Sequence, residues 1–177
     1  PELSYAVRKL HTIAGINITA SHNPPEYNGY KVYWEDGAQI TPPHDSGIMN
    51  EVKAISDYAV CKKMDKDAAI AAGLYQTIGA DIDDPYIEEL KKLVVHQDAI
   101  DAVGSQIKVV YTPLHGTGNI PVRRVLKELG FTNVYVVPEQ ELPDGDFPTV
   151  SYPNPEAKEA FTLGLALAKK VDADLVL

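Results

Sequence analysis

A chain of 177 residues with 45% apolar side chains is long enough for one domain or two small ones, and it can bury a core. A formal net charge of −9 and a mean hydropathy of −0.17 argue against bulk electrostatic binding to nucleic acid or an anionic membrane, and no apolar run approaches the length of a membrane span. The single cysteine, Cys61, excludes an intrachain disulfide and a thiolate metal cluster; the mixed polar start has no signal-peptide pattern, and a cytoplasmic location is expected.

Leu3 to Leu10 predicts a helix, with Leu3, Val7 and Leu10 on one stripe. Ala14 to Ile18 predicts a buried strand that runs into a turn. The next segment concentrates chemistry: Thr19-Ala20-Ser21-His22-Asn23-Pro24-Pro25-Glu26-Tyr27-Asn28-Gly29-Tyr30-Lys31. It places a hydroxyl, an imidazole, an amide and an ammonium in one loop. Pro24 and Pro25 fix φ twice and remove two backbone donors, so no helix continues through it. Ser21 alone is a weak nucleophile and needs a neighbouring base or positive charge, for which His22 and Lys31 are candidates. Asn23 is placed to hold the turn through side-chain-to-backbone hydrogen bonds.

Tyr30–Trp34 and Ala38–Thr41 predict a hairpin around Glu35-Asp36-Gly37. Ser46 begins a helix whose Ile48, Met49, Val52 and Ile55 share a face, with His44-Asp45 as lead-in and Asp45 or Ser46 as cap. Lys62 to Asp83 gives mixed signals. Asp84 as N-cap and Pro85 at the first helical position predict another helix, with Ile87, Leu90, Leu93 and Val94 as its apolar stripe. A boundary is expected near Asp98 to Gln106.

Ile107 to Tyr111 then predicts a strand, followed by the loop Thr112-Pro113-Leu114-His115-Gly116-Thr117-Gly118. A helix with Val122, Val125, Leu126 and Leu129 inward should end at Gly130, before a strand at Asn133–Val137. Glu139 to Asn154 reads as an acidic, Pro-rich loop, about Pro155 to Lys170 as a final helix, and Ala173 to Leu177 as an opening strand. Alternating strands and helices imply two α/β units with parallel pairing and right-handed crossovers. The glycines after His115 could form an anion-binding nest, but a tight strand-to-helix turn explains them better. Arg123-Arg124 is the only basic pair in the second half, and Asp144-Gly145-Asp146 lacks the later ligands of a calcium loop.

The run Thr-Ala-Ser-His-Asn-Pro at 19–24, with Asn-Gly-Tyr-Lys at 28–31, resembles the phosphoserine loop of the α-D-phosphohexomutases, the phosphoglucomutase and phosphomannomutase superfamily. Val32 to Asp45 is most similar to the branch containing phosphoglucomutase-2 and phosphopentomutase. The resemblance implies an α/β fold of two incomplete three-layer α/β/α units with mixed, mainly parallel sheets. Residues 1–103 would be the later part of the first domain, and 104–177 most of the second, ending before the metal-binding loop.

The same resemblance implies that Ser21 carries a phosphoryl group and passes it to a hexose or pentose monophosphate. Lys31 would stabilise charge or transfer a proton, and His22 would orient the loop or touch phosphate. Asn23 and His115 would contact the substrate or its phosphate. Mg²⁺ would bind through the phosphate on Ser21, its remaining Asp ligands lying beyond residue 177; Asp172 and Asp174 read as strand-start residues instead. Glucose 1,6-bisphosphate is implied as activator and a phosphosugar as substrate, glucose phosphate ahead of a pentose or mannose phosphate. The fragment alone is expected to be inactive and to self-associate. Two readings of other classes are a Ser-His hydrolase, which lacks a G-x-S-x-G elbow here, and a non-catalytic phosphate-binding module.

Overall fold

Helix α1 (Glu2–Lys9) opens the computed structural model, which describes residues 1–177. Glu2 lies in its first turn and Arg8 and Lys9 in its last, matching the helix dipole, while Ala6 and Val7 are buried. The chain divides into two compact units: residues 1–17 with 30–84, and residues 18–29 with 85–177. No helix is long and apolar enough to cross a membrane.

In the first unit, β1 (Ala14–Ile18) and β2 (Tyr30–Trp34) are hydrogen-bonded neighbours in a two-stranded sheet. The sequence predicts β1 as buried, yet Ile16 is 50% exposed. A two-stranded sheet has too little surface to cover both faces of a strand. The second hairpin arm, expected at Ala38–Thr41, is reduced to one bridge between Tyr33 and Gln39, plus the Ile40 N–H donated to Val32 O at 3.0 Å. Pro42 and Pro43 follow and offer no N–H to extend a ladder. The turn itself forms as expected, with Gly37 at φ +78°.

Helix α2 (His44–Ala54) begins two residues before Ser46. Asp45 and Ser46 do not cap it; Pro43 holds the N-cap position, and the Asp45 carboxylate instead accepts the neighbouring Ser46 N–H and O–H. Ile48, Met49 and Val52 face a cleft of about 570 Å³ shared with Val32 and Ile40. The ambiguous segment holds α3 (Lys66–Ala71), capped by the Asp65 carboxylate on the Ala68 N–H. Helix α4 (Ala80–Lys91) starts four residues before Asp84, with Pro85 inside it. Burial of Ile82 and the Ile82 N–H bond to Gly79 O build the first turn upstream of the proline.

The second unit contains α5 (Gln97–Val103), a helix in the stretch read as a boundary. Gln97 ties it to Leu129 O at 3.1 Å. Strand β3 (Lys108–Tyr111) is central, flanked by β4 (Asn133–Val136) and β5 (Leu175–Val176) in the order β4-β3-β5. Both pairings are parallel, with Lys108 opposite Asn133 and Val109 opposite Leu175. Val109, Val110 and Val137 are almost wholly buried.

Helix α6 (Asn119–Leu129) connects β3 to β4 and stops at Gly130, whose φ of +117° only glycine adopts easily. Helix α7 (Thr162–Val171) starts later than the predicted Pro155, because residues 158–161 form a 3₁₀ turn first. It lies close on the sheet at Gly164, where a Cβ would meet Val176 Cγ1 at 3.3 Å. Asp172 caps α7 in the left-handed region, and the Asp174 carboxylate accepts the Lys108 N–H at 2.9 Å. Both acids therefore serve the entry to β5.

Candidate functional site

Residues 18–29 leave β1, turn and return to β2, and the neck of this loop is closed by the Thr19 N–H donated to Gly29 O at 3.0 Å. Gly29 must lack a side chain, because a Cβ there would collide with the Thr19 carbonyl oxygen. The Asn28 carboxamide accepts the Gly29 N–H at 2.9 Å, and Tyr27 N–H reaches Pro24 O at 3.0 Å, so the returning arm is pinned locally.

Ser21 stands at the tip with φ +58°, the left-handed region that a non-glycine residue occupies at a cost of order 1 kcal/mol or more. Its N–H donates to Thr19 Oγ1 at 3.0 Å, which holds that backbone in place. The Ser21 side chain is exposed, and its Oγ lies 3.4 Å from His22 Nδ1, a long contact that leaves the hydroxyl open to solvent. Asn23 closes the turn through its backbone N–H to Ala20 O at 3.1 Å, not through the side chain expected to do so. Ser21, His22 and Asn23 thus share one exposed loop. Lys31 is the second residue of β2 and is half-buried.

His115 occupies a different setting. Its ring is 6% exposed, with Nδ1 3.1 Å from Leu142 O and Nε2 2.9 Å from Thr149 Oγ1. A carbonyl only accepts, so Nδ1 carries the hydrogen, and in the neutral ring Nε2 accepts from Thr149. Thr149 Oγ1 accepts from Gln140 Nε2 at 3.1 Å, and Gln140 Oε1 accepts from the Thr112 hydroxyl at 2.6 Å. Thr112 Oγ1 takes the Leu114 N–H at 3.0 Å. The ring as placed offers no free nitrogen to a phosphate; it braces the loop after β3 against residues 140–149.

Sequence alone does not flag Thr112, Gln140 and Thr149. Thr112 lies in the loop after β3, but its side-chain partner Gln140 is 28 residues away and carries no local signal. In the stretch 115–118, the His115 and Gly116 N–H groups are taken up by Gln140 O and Pro113 O, and the Leu114 N–H before them by Thr112 Oγ1.

No three His, Cys, Asp or Glu side chains converge in residues 1–177. The residues present therefore do not fit a complete Mg²⁺ site, even with the Ser21 hydroxyl as one donor.

Residues 84–177 match the family model described as phosphoglucomutase/phosphomannomutase, alpha/beta/alpha domain II, and residues 1–59 match alpha/beta/alpha domain I. A phosphoglucomutase of Staphylococcus saprophyticus is 42% identical over 177 residues, which is 100% of this chain and 31% of the relative. Human phosphopentomutase is 40% identical and human glucose 1,6-bisphosphate synthase 41%, each over the whole chain and over 29% and 28% of the relative. A crystal structure described as a phosphomannomutase from Thermus thermophilus superimposes with a TM-score of 0.70 at 26% identity, over 94% of this chain and 34% of that one. The chain thus spans under a third of the length of the curated relatives it matches.

Proposed function

Because the chain belongs to the phosphoglucomutase/phosphomannomutase family, we propose that Ser21 is the phosphoryl carrier of a sugar-phosphate mutase to which these residues contribute. The observation that carries this reading is the backbone of Ser21: a serine held at φ +58° on a closed loop, with its hydroxyl exposed. Strain of this kind, kept by local hydrogen bonds, is a common feature of residues that do chemistry.

In this reading phosphoserine 21 gives its phosphoryl group to the free hydroxyl of a hexose monophosphate. The hydroxyl oxygen bonds to phosphorus as the Ser21 Oγ–P bond breaks, and the proton lost by the sugar hydroxyl ends on Ser21 Oγ, leaving a neutral serine. The resulting bisphosphate turns over, and its other phosphoryl group returns to Ser21. Phosphate has then moved between C1 and C6. His22 orients the loop, Lys31 supplies positive charge, and Asn23 contributes to phosphate contact. Phosphoryl transfer depends mainly on such positioning and charge stabilisation.

Glucose phosphate is the proposed substrate, in line with the name of the Staphylococcus relative. The phosphopentomutase name of the human relative supports a pentose phosphate as the second choice. Glucose 1,6-bisphosphate is the proposed activator. Mg²⁺ is a proposed requirement of the longer protein, with carboxylate ligands from residues outside this chain. A cytoplasmic location belongs to the same proposal.

The test is Ser21→Ala in a full-length protein carrying this sequence. Interconversion of glucose 1-phosphate and glucose 6-phosphate should fall at least about a thousandfold, as when a covalent nucleophile is lost. Activity within tenfold of the parent would sink the assignment of Ser21. The 177 residues alone should show no turnover under the same conditions.

A further inference from the structure

Outside the Ser21 loop, one end of α6 carries unmet donors. Helix α6 has no side-chain cap. The N–H groups of Asn119 and Ile120 precede any intrahelical acceptor, and no other protein acceptor takes them. Pro121, next in line, has no N–H, and the Val122 N–H is bonded to Gly118 O at 3.0 Å.

Tyr111 points to the same place. Its side chain ends β3 at 8% exposure, and its hydroxyl makes no hydrogen bond within the protein. A Cβ on Gly118 would sit 2.6 Å from that hydroxyl oxygen and 3.9 Å from the ring carbon bearing it, so the O–H is aimed at the start of α6. Burial raises the Tyr111 phenol above its ordinary value, with the Arg123 charge opposing, so the group is a donor at neutral pH. Arg123 stands one turn into α6, bonded to Asn119 Oδ1 at 3.0 Å and paired with Glu141 at 2.5 Å. Donors that converge at the positive end of a helix dipole suit an oxyanion.

We propose that the N-terminus of α6 is a phosphate-binding subsite in which the Tyr111 hydroxyl and the Asn119 and Ile120 N–H groups donate to one phosphate group. The missing side chain of Gly118 leaves room for the Tyr111 hydroxyl. The subsite does not depend on the role given to Ser21.

The experiment titrates the 177-residue chain with inorganic phosphate and, separately, with glucose 1-phosphate, following backbone amides by ¹⁵N–¹H NMR. Saturable shifts centred on Gly118, Asn119 and Ile120 are expected. Tyr111→Phe should weaken binding about tenfold, the effect of losing one hydrogen bond to a charged group. Gly118→Ala, at φ −65° free of backbone strain, should weaken it by displacing the hydroxyl. Tighter binding of glucose 1-phosphate would assign the subsite to a sugar phosphate, and equal binding to phosphate itself. Both support the proposal. Absence of saturable shifts at these amides with either compound would overturn it, as would equal affinity in Tyr111→Phe. Neither overturning result bears on Ser21, whose test is mutase activity.

Discussion

At the residue scale, the chemistry of the Ser21 loop is legible because it is contiguous. Hydroxyl, imidazole and amide sit in adjacent positions, and two prolines mark the loop. The left-handed backbone of Ser21 is not legible, because it comes from the Thr19–Gly29 closure and the Thr19 hydroxyl acting together. Tyr111 is read from sequence only as the last residue of a strand. Its direction depends on where α6 starts, which is a tertiary fact. A second residue-scale expectation concerns Glu159. Hydrogen bonds from the Ser151 hydroxyl and N–H hold its carboxyl below the usual value of 4.5. A lowered value means this link contributes fully above about pH 4.5 and is lost as pH falls through the folded-state value. The Ser151 amide resonance should therefore be unchanged from neutral pH to the ordinary carboxylate range and move only in more acid solution. A midpoint at or above 4.5 would contradict it.

At the scale of elements, the strands and helices with strong periodicity are where the sequence puts them: α1, β1, β2, β3, α6 and β4. The failures have physical causes. Asp84-Pro85 is a good helix start, but Ile82 gains more by entering the core, so α4 begins upstream. Ala38–Thr41 alternates like a strand, but two following prolines leave it one bridge. Packing of α7 on the sheet yields a test at Gly164. Gly164→Ala should be close to neutral, since about 1 kcal/mol of helix propensity offsets a contact at 3.3 Å that needs a small shift. Gly164→Leu should cost about 2 kcal/mol in urea unfolding, because the larger side chain meets Val176, Val137 and Val110. Equal stability of the two variants would show that α7 does not rest on β3 and β5 as described.

For the whole molecule, α/β alternation was enough to anticipate parallel pairing, but not the order that sets β3 between β4 and β5. Nor does alternation convey how much apolar surface stays open. Ile13, Val95 and Ile120 are each more than three-quarters exposed, and Ile18, Leu74 and Leu93 are more than two-thirds exposed. The cleft beside Val32, Ile48 and Met49 adds to this. An open apolar cleft, with exposed apolar side chains in such number, favours association, so the 177-residue chain is expected to show a concentration-dependent rise in apparent mass by light scattering. A constant monomer mass across a hundredfold dilution would refute that. The strand order has a consequence in time. Strand β3 gains one neighbour from residues 133–136, soon after it is made, but Val109 waits for Leu175 on its other side. During synthesis from the N-terminus, the central strand therefore emerges with one flank unzipped, and that flank closes only once Leu175 and Val176 have been made.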